Sequence, residues 1–260
     1  MGLLDKGMSV LMSTAGTVDA PLTKNAEGAK MAEASESGEK VDAPNLLAGF
    51  PDSKLNLAVG GTGAVERQPT PSVECSNIVI DLESLDTSES AIVLTLGAVK
   101  VDFDKGVIGE TLYLVLDITD QLLRYRTASE STQDWWAKQN EAARNAAFGR
   151  PDLRIPTTKA LEKFTKFIQP YGKVPTDLVV WGNGPDFDNA IMLHLYKTFE
   201  VAPPFAHFNN GCLRTLMRML PRDRRPKFDG TKHNALDDAM HEARCLLEVN
   251  KCLKNVDWSA

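Results

Sequence analysis

A short apolar run that ends in two acidic residues constrains this chain more than any other stretch. Residues 77–80 (Asn-Ile-Val-Ile) are mostly β-branched and predict a buried strand. Asp81 and Glu83 follow one residue apart, so along an extended backbone both carboxylates point to the same face. Two carboxylates held together repel each other unless a cation neutralises them. The stretch therefore predicts either a cation site at a strand end or the start of a polar loop, and partners elsewhere in the chain must decide.

Residues 1–75 differ in composition from the rest of the chain. They are rich in Ala, Gly, Ser, Glu and Lys and contain a single aromatic residue, Phe50. Such a segment has too little apolar surface to offset the entropy lost on ordering. We therefore expect a disordered or weakly structured N-terminal extension over residues 1–75 and a folded domain over residues 76–260. A protein partner that binds the extension is left open.

The overall composition is that of a globular protein without membrane contact. Hydrophobic residues make up 43% and charged residues 25% of the chain, and no apolar run reaches the length of about 18 residues that a membrane span needs. The net charge of −6 argues against a generally basic nucleic-acid coat but is compatible with a local basic patch. The four cysteines show no C-x-x-C spacing, which is typical of a reducing compartment. We expect a cytoplasmic protein, with a phage-encoded protein in the host cytoplasm left open.

From residue 76 onward, the hydrophobic pattern alternates between strands and helices. Strands are predicted at residues 77–80, 91–99, 110–116, 178–181 and 205–208. Helices are predicted at residues 129–148, 158–168, 185–199, 211–220 and 234–253. The short links between the first three strands predict an antiparallel meander, and the later alternation predicts helices on both faces. The fold class is therefore α/β, with a mixed five-stranded sheet flanked by helices.

Two later segments carry acidic residues where a strand or a turn passes into a helix. Asp186 and Asp188 follow the fourth predicted strand and a Gly-Asn-Gly turn. His233 precedes the last predicted helix, and Asp238 lies in its first turn. The helix dipole alone favours acids at a helix start, so each segment by itself has a purely structural explanation. Together, however, the Asp-x-Glu, Phe-Asp and His-x-Ala-x-x-Asp-Ala motifs favour one shared site.

In this order, the three motifs resemble those of the DEDDh 3′–5′ exonucleases of the ribonuclease H-like superfamily. The matching residues are Asp81, Glu83, Asp188, His233 and Asp238. The Trp-Trp pair at 135–136 and the Trp-Gly-Asn-Gly run at 181–184 look most like the phage and mycobacterial exoribonuclease-like branch. The resemblance covers about residues 76–253 and implies a ribonuclease H-like fold. Asp186 is an additional acid that departs from the family pattern, and the Phe directly before Asp188 favours Asp188 as the matching residue.

The resemblance implies metal-dependent hydrolysis of single-stranded or frayed RNA or DNA from the 3′ end, which releases nucleoside 5′-monophosphates. Two divalent cations, Mg²⁺ or Mn²⁺, prefer oxygen ligands, in agreement with four carboxylates and no cysteine. Asp81 would bridge both metals, with Glu83 and Asp238 on the nucleophile side. Asp188 would hold the second metal. His233 would act as the general base, because an imidazole titrates near neutral pH.

Five residues are expected near the substrate: Ser84, Leu85, Asn183, Trp135 and Arg225, with the alternative that Asn183 orients a strand end left open. Ser84 and Leu85 match family positions that lie against the terminal nucleotide. Trp135 and Trp136 could each stack on a base, but at least one of them is expected to pack in the core, because adjacent helical residues point about 100° apart. Arg225 belongs to a basic loop before the histidine motif and is expected to steer phosphates.

Other functions are left open by the sequence. A nucleic-acid-binding or partner-binding scaffold with little catalysis would use the same fold, although such a protein would usually have lost one of the acids. No motif decides between RNA and DNA, because that choice depends on contacts with the 2′-hydroxyl group. A homodimer is likewise left open.

Overall fold

The computed structural model describes residues 75–169, 174 and 177–255 of the chain. The predicted disordered extension therefore lies outside the described residues, apart from Cys75 at its end. Within this described part, no helix is long and apolar enough to cross a membrane.

One mixed sheet of six strands, in the order β4-β3-β2-β1-β5-β6, forms the centre of the described chain. The strands are β1 (Asn77–Ser84), β2 (Val93–Asp102), β3 (Val107–Leu116), β4 (Arg154–Ile155), β5 (Val179–Gly182) and β6 (Asn210–Cys212). The first three form the predicted antiparallel meander. β5 pairs in parallel with β1 on one side and with β6 on the other. The α/β class and the mixed sheet are thus confirmed.

Seven α-helices connect and cover these strands in the described part of the chain. They are α1 (Ile118–Leu122), α2 (Glu130–Ala137), α3 (Glu141–Phe148), α4 (Thr157–Ile168), α5 (Asp188–Thr198), α6 (Leu213–Met219) and α7 (Ala235–Lys254). Short 3-10 helices occur at Pro151–Leu153, His207–Asn209 and Arg222–Arg224.

Three details of the predicted fold are wrong. The sheet has six strands rather than five, because two residues of β4 pair with the end of β3. The last strand is Asn210–Cys212 and not residues 205–208, part of which form a 3-10 helix. The single helix predicted at 129–148 is two helices, because the Asn140 side chain accepts a hydrogen bond from the Ala143 N–H (2.9 Å) and thereby caps a new helix.

Alternate residues of β1 face two different layers of helices. Ile78, Ile80 and Leu82 belong to a buried cluster that includes residues of α4 and α5. Val79 belongs to a second cluster, which includes residues of α6 and α7. Because side chains alternate along a strand, the acidic residues at 81 and 83 lie on the same face as Val79. They therefore face the layer that contains α7.

A glycine in β2 allows α7 to approach the sheet closely. Gly97 lies opposite Asp81 in the antiparallel pairing of β1 with β2. A methyl group at position 97 would overlap the backbone carbonyl of Ala235, the first residue of α7. The absence of a side chain at Gly97 thus permits the N-terminal end of α7 to lie beside the acidic half of β1.

Candidate active site

The five residues that match the family motifs come from three elements that meet at the C-terminal end of β1, an interior strand of the sheet. Asp81 and Glu83 lie in the second half of β1, and Asp188 is the first residue of α5, just after the parallel strand β5. His233 and Asp238 lie on either side of the start of α7. The potential ligand atoms of Glu83, His233 and Asp238 all lie within 4.8 Å of one another. The first and third motifs are therefore neighbours in space, and the charge of Asp188 raises the pKa of Asp81 and of Glu83, which indicates that the second motif lies beside them.

Asp188 is placed by a tight turn that follows β5. A methyl group at Gly182 would lie 3.0 Å from a carboxylate oxygen of Asp188, so the glycine leaves room for that side chain. Asp188 is only 3% exposed, whereas Asp186 is exposed to solvent. Burial raises the pKa of Asp188 to about 7, although hydrogen bonds from the backbone at Leu82 and Asn183 act in the opposite direction.

The start of α7 holds His233 beside Asp238. The Asn234 side chain caps the helix by accepting hydrogen bonds from the backbone N–H groups of Leu236 and Asp237. His233 has a left-handed backbone with φ of 63°, a conformation that is uncommon for residues other than glycine. Its backbone N–H donates to the Asp238 carboxylate at 2.7 Å. This hydrogen bond supports the unusual backbone conformation and ties the two residues together.

Burial and mutual repulsion raise the pKa values of the clustered carboxylates. For Glu83, burial followed by the charges of Asp238 and Asp188 raises the pKa to about 8. The pKa of Asp81 is raised well above its usual range, first by burial and then by its acidic neighbours. Burial also raises the pKa of Asp238. Acids that are this costly to ionise together are stabilised by a cation placed between them.

Glu242 is a fifth carboxylate of this cluster, and sequence analysis missed it. It lies one turn after Asp238 in α7, is 6% exposed, and has one carboxylate oxygen without a hydrogen-bond partner in the described part of the protein. Burial, and then the charges of Asp188 and Asp238, raise its pKa well above the usual value. A detectable signal was present, because Glu242 interrupts a helical stripe that otherwise contains alanine, cysteine, leucine and valine.

A cavity of about 530 Å³, which we call the acidic cavity, opens over Asp81, Glu83, Asp238 and Glu242, whereas Asp188 is not part of its lining. The two adjacent tryptophans differ in their surroundings. Trp136 is 1% exposed and donates its indole N–H to the Ser84 carbonyl at 2.9 Å, so it anchors the end of β1. Trp135 is 41% exposed, and its ring lies edge-to-face with the His233 ring at a centroid distance of 4.9 Å. Trp135 is thus available for a ligand, while Trp136 packs in the core.

The remaining residues predicted to contact substrate occupy different places. Ser84 lines the acidic cavity and donates its hydroxyl to the Asp86 carbonyl at 2.7 Å. Asn183 lines both the acidic cavity and a neighbouring one. Arg225 lines only the neighbouring cavity. Leu85 packs in a buried cluster and is not part of the lining of the acidic cavity.

The donors in this cluster fit a hard divalent cation. They are carboxylate oxygens and one imidazole, and no cysteine lines the acidic cavity. One carboxylate oxygen of Glu242 has no hydrogen-bond partner among the described residues, and the raised pKa values of Glu83 and Glu242 show that these acids are costly to ionise together without a cation. Residues that could hold such an ion are Asp81, Glu83, Asp188, Asp238 and Glu242.

Comparison with known proteins identifies a match over most of the described chain. A family model described as the 3′-5′ exoribonuclease Rv2179c-like domain matches residues 76–250. A comparison with curated protein sequences finds no match. Among solved structures, the nuclease domain of 3′hExo, a DEDDh family member bound to rAMP, is 14% identical with a TM-score of 0.47, over 68% of this chain and 92% of that one.

Two further solved nucleases have similar values. Cell-death related nuclease 4 is 14% identical with a TM-score of 0.48, over 69% of this chain and 66% of that one. Exonuclease I from Methylocaldum szegediense is 13% identical with a TM-score of 0.48, over 70% of this chain. The present chain spans only 41% of the length of that exonuclease.

Proposed function

The chain belongs to the Rv2179c-like 3′–5′ exoribonuclease domain family, a group of DEDDh exonucleases, and from this premise we propose that it removes nucleotides from the 3′ end of single-stranded RNA and releases nucleoside 5′-monophosphates. The observation that carries the proposal is the convergence of Glu83, His233 and Asp238, whose potential ligand atoms lie within 4.8 Å of one another. Residues 76–260 would form the catalytic domain.

Two divalent cations, Mg²⁺ or Mn²⁺, are proposed to bind among Asp81, Glu83, Asp188 and Asp238. Bound cations of this kind lower the pKa of water and neutralise charge on the attacking and leaving oxygens of a phosphodiester. The carboxylates contribute by giving the site its negative charge in a largely buried setting. Their pKa values are raised by burial, so protons compete with cations for the same oxygens, and metal affinity is expected to weaken as the pH falls.

His233 is proposed to accept the proton from the attacking water. Its ring lies against Trp135, and its backbone is tied to Asp238, so the imidazole is held at the rim of the acidic cavity by contacts on two sides. Histidine is the side chain that most often serves as a general base.

The terminal nucleoside is proposed to lie between Trp135 and the end of β1. Trp135 offers an exposed aromatic surface on which a base of any sequence can stack. Ser84 lines the same cavity, next to the acidic residues. This arrangement would place the last phosphodiester over the carboxylates and would make recognition of the 3′ end largely independent of base identity.

The test uses the purified full-length protein with single-stranded RNA and DNA labelled at either end. We expect stepwise shortening from the 3′ end in Mg²⁺ or Mn²⁺, release of nucleoside 5′-monophosphates, and no reaction in EDTA. Cleavage of a closed circular strand, or activity that survives EDTA, would contradict the proposal. Binding of RNA without hydrolysis would instead favour the nucleic-acid-binding scaffold.

A further inference from the structure

A second cavity, of about 280 Å³, adjoins the acidic cavity, and we call it the arginine cavity. Its lining includes three arginines: Arg214, Arg218 and Arg225. Asn183, Asp238 and Glu242 line both cavities and therefore form a shared wall. Trp135 lines only the acidic cavity. The shared acids thus separate a tryptophan side from an arginine side.

The arginines of this cavity are not engaged in ion pairs. Arg214 and Arg218 are exposed and lie four residues apart on α6, so they share one face of the helix. The Arg225 guanidinium donates to the carbonyls of Met217 and Leu220 at the end of α6, which fixes its position. Among the described residues, no carboxylate lies within 4.0 Å of any of the three guanidinium groups. Three positive charges are therefore available to a ligand.

Arg214 is directed toward the active site. A methyl group at Gly184 would lie 3.2 Å from its guanidinium carbon, so the side chain crosses the turn that leads to Asp188. The positive charge of Arg214 lowers the pKa of both Asp188 and Glu242, which agrees with this position. Arg224 differs, because its guanidinium is already paired with Glu248 at 2.9 Å.

We propose that the arginine cavity binds the backbone phosphate on the 5′ side of the scissile bond, in the same strand whose 3′ end occupies the acidic cavity. Guanidinium groups bind phosphate oxygens through paired, charge-assisted hydrogen bonds. A strand whose scissile phosphate lies over the carboxylates would continue past the shared wall. The next phosphate there needs positive charge nearby, because Asp238 and Glu242 would otherwise repel it. The inference rests on the proposed exonuclease function and adds a contact that a substrate with one phosphodiester cannot make.

The experiment compares two substrates in a double variant, Arg214→Gln with Arg218→Gln. One substrate is a uridine RNA pentamer, and the other is the p-nitrophenyl ester of uridine 5′-monophosphate, which has only the scissile phosphodiester. We expect the KM for the pentamer to rise roughly tenfold for each arginine, given the usual strength of hydrogen bonds to charged groups. The slope of log KM against log salt should fall by about 0.7 for each arginine. Hydrolysis of the ester should change much less, because the ester makes no contact with the arginine cavity and loses only the effect of the Arg214 charge on Asp188 and Glu242.

The matched control removes two positive charges outside the cavity, through Arg222→Gln with Arg224→Gln. It should leave the KM for the pentamer near the wild-type value, and melting curves should show that both double variants are folded. Arg225 is kept, because its guanidinium also caps α6.

Several results would overturn the inference while leaving the exonuclease function intact. These are an unchanged KM for the pentamer in the double variant, an equal loss of activity on both substrates, and an equal rise of KM in the control. The double variant could also be inhibited less by uridine 5′-monophosphate than the wild type while its KM for the pentamer is unchanged. In that case the cavity would bind the released product instead of the strand. If the wild-type protein hydrolyses neither substrate, the proposed function fails, and the inference fails with it.

Discussion

The metal-free protein is expected to become more stable when one of its crowded carboxylates is made neutral. Glu83 is the best position, because it is 7% exposed and its pKa is raised from 4.5 to about 8 by burial and by the charges of Asp238 and Asp188. As the pH rises above 4.5, the unfolded chain releases this proton while the folded protein keeps it. The contribution of Glu83 to the free energy of unfolding is therefore fully present below pH 4.5 and is lost as the pH rises toward 8.

The size of the effect follows from the same values. Each pH unit between the unfolded and folded pKa values lowers the free energy of unfolding by about 1.4 kcal/mol. At pH 7, this amounts to about 3 kcal/mol for Glu83. Glu83→Gln removes the titration in both states, so in EDTA it should raise the stability by up to this amount at pH 7 and leave it unchanged at pH 4. The corresponding rise in Tm is about 6–12 °C for a domain of this size.

The assay is thermal unfolding in EDTA at pH 4, 5, 6 and 7, with Glu89→Gln as the control, because Glu89 is exposed. The control should follow the wild type at every pH. Added Mn²⁺ should reverse the order at pH 7, because the wild type gains stability from a bound cation and the Gln variant loses a ligand. If Glu83→Gln is no more stable than the wild type in EDTA at pH 7, burial and the neighbouring charges do not raise the pKa of Glu83 as described.

Three further substitutions test other parts of the site. His233→Asn should lower kcat on the RNA pentamer by about 10²- to 10⁴-fold and change KM little, as loss of a general base would do in steady-state assays. Asp188→Asn should slow turnover by orders of magnitude in saturating Mn²⁺. Asp186→Asn, at an exposed position, should lose at most the helix-dipole effect of about 1 kcal/mol. If Asp186→Asn is inactive and Asp188→Asn is active, the proposed ligand is Asp186. Gly97→Ala should lower both Tm and activity, because overpacking costs about 1–3 kcal/mol. Gly109→Ala is the control and should lower Tm less, because its added methyl group would lie no closer than 3.3 Å to a neighbour.

Local patterns in the sequence were sufficient to predict much of the fold. The meander was predictable because three runs with strand patterns are separated by short links, and the structure pairs them in that order. The strand Asn210–Cys212 was missed because it is only three residues long and contains Gly211. That glycine is required by tertiary packing, since a methyl group there would overlap the Trp181 ring. No local pattern reports such a contact.

The site was predictable to the extent that its residues follow motifs. Asp81 and Glu83 could be assigned to one face of a strand from their spacing alone, and the structure places them on one face. Glu242 was missed because the helical pattern shows that a residue lies on the apolar face but not what lies opposite it. What lies opposite depends on the close approach of α7 to β2 at Gly97, which is a property of the packed fold.

The close packing of α7 against β1 and β2 also determines when the protein can become active during synthesis. β1 is the first strand of the described chain to leave the ribosome, whereas α7 is the last helix. Domains form as units once their sequence is available. A nascent or prematurely terminated chain that ends before residue 235 has Asp81 and Glu83 but lacks Asp238 and Glu242. Such a chain carries an incomplete acidic centre, so the full set of clustered carboxylates forms only after the final helix has docked.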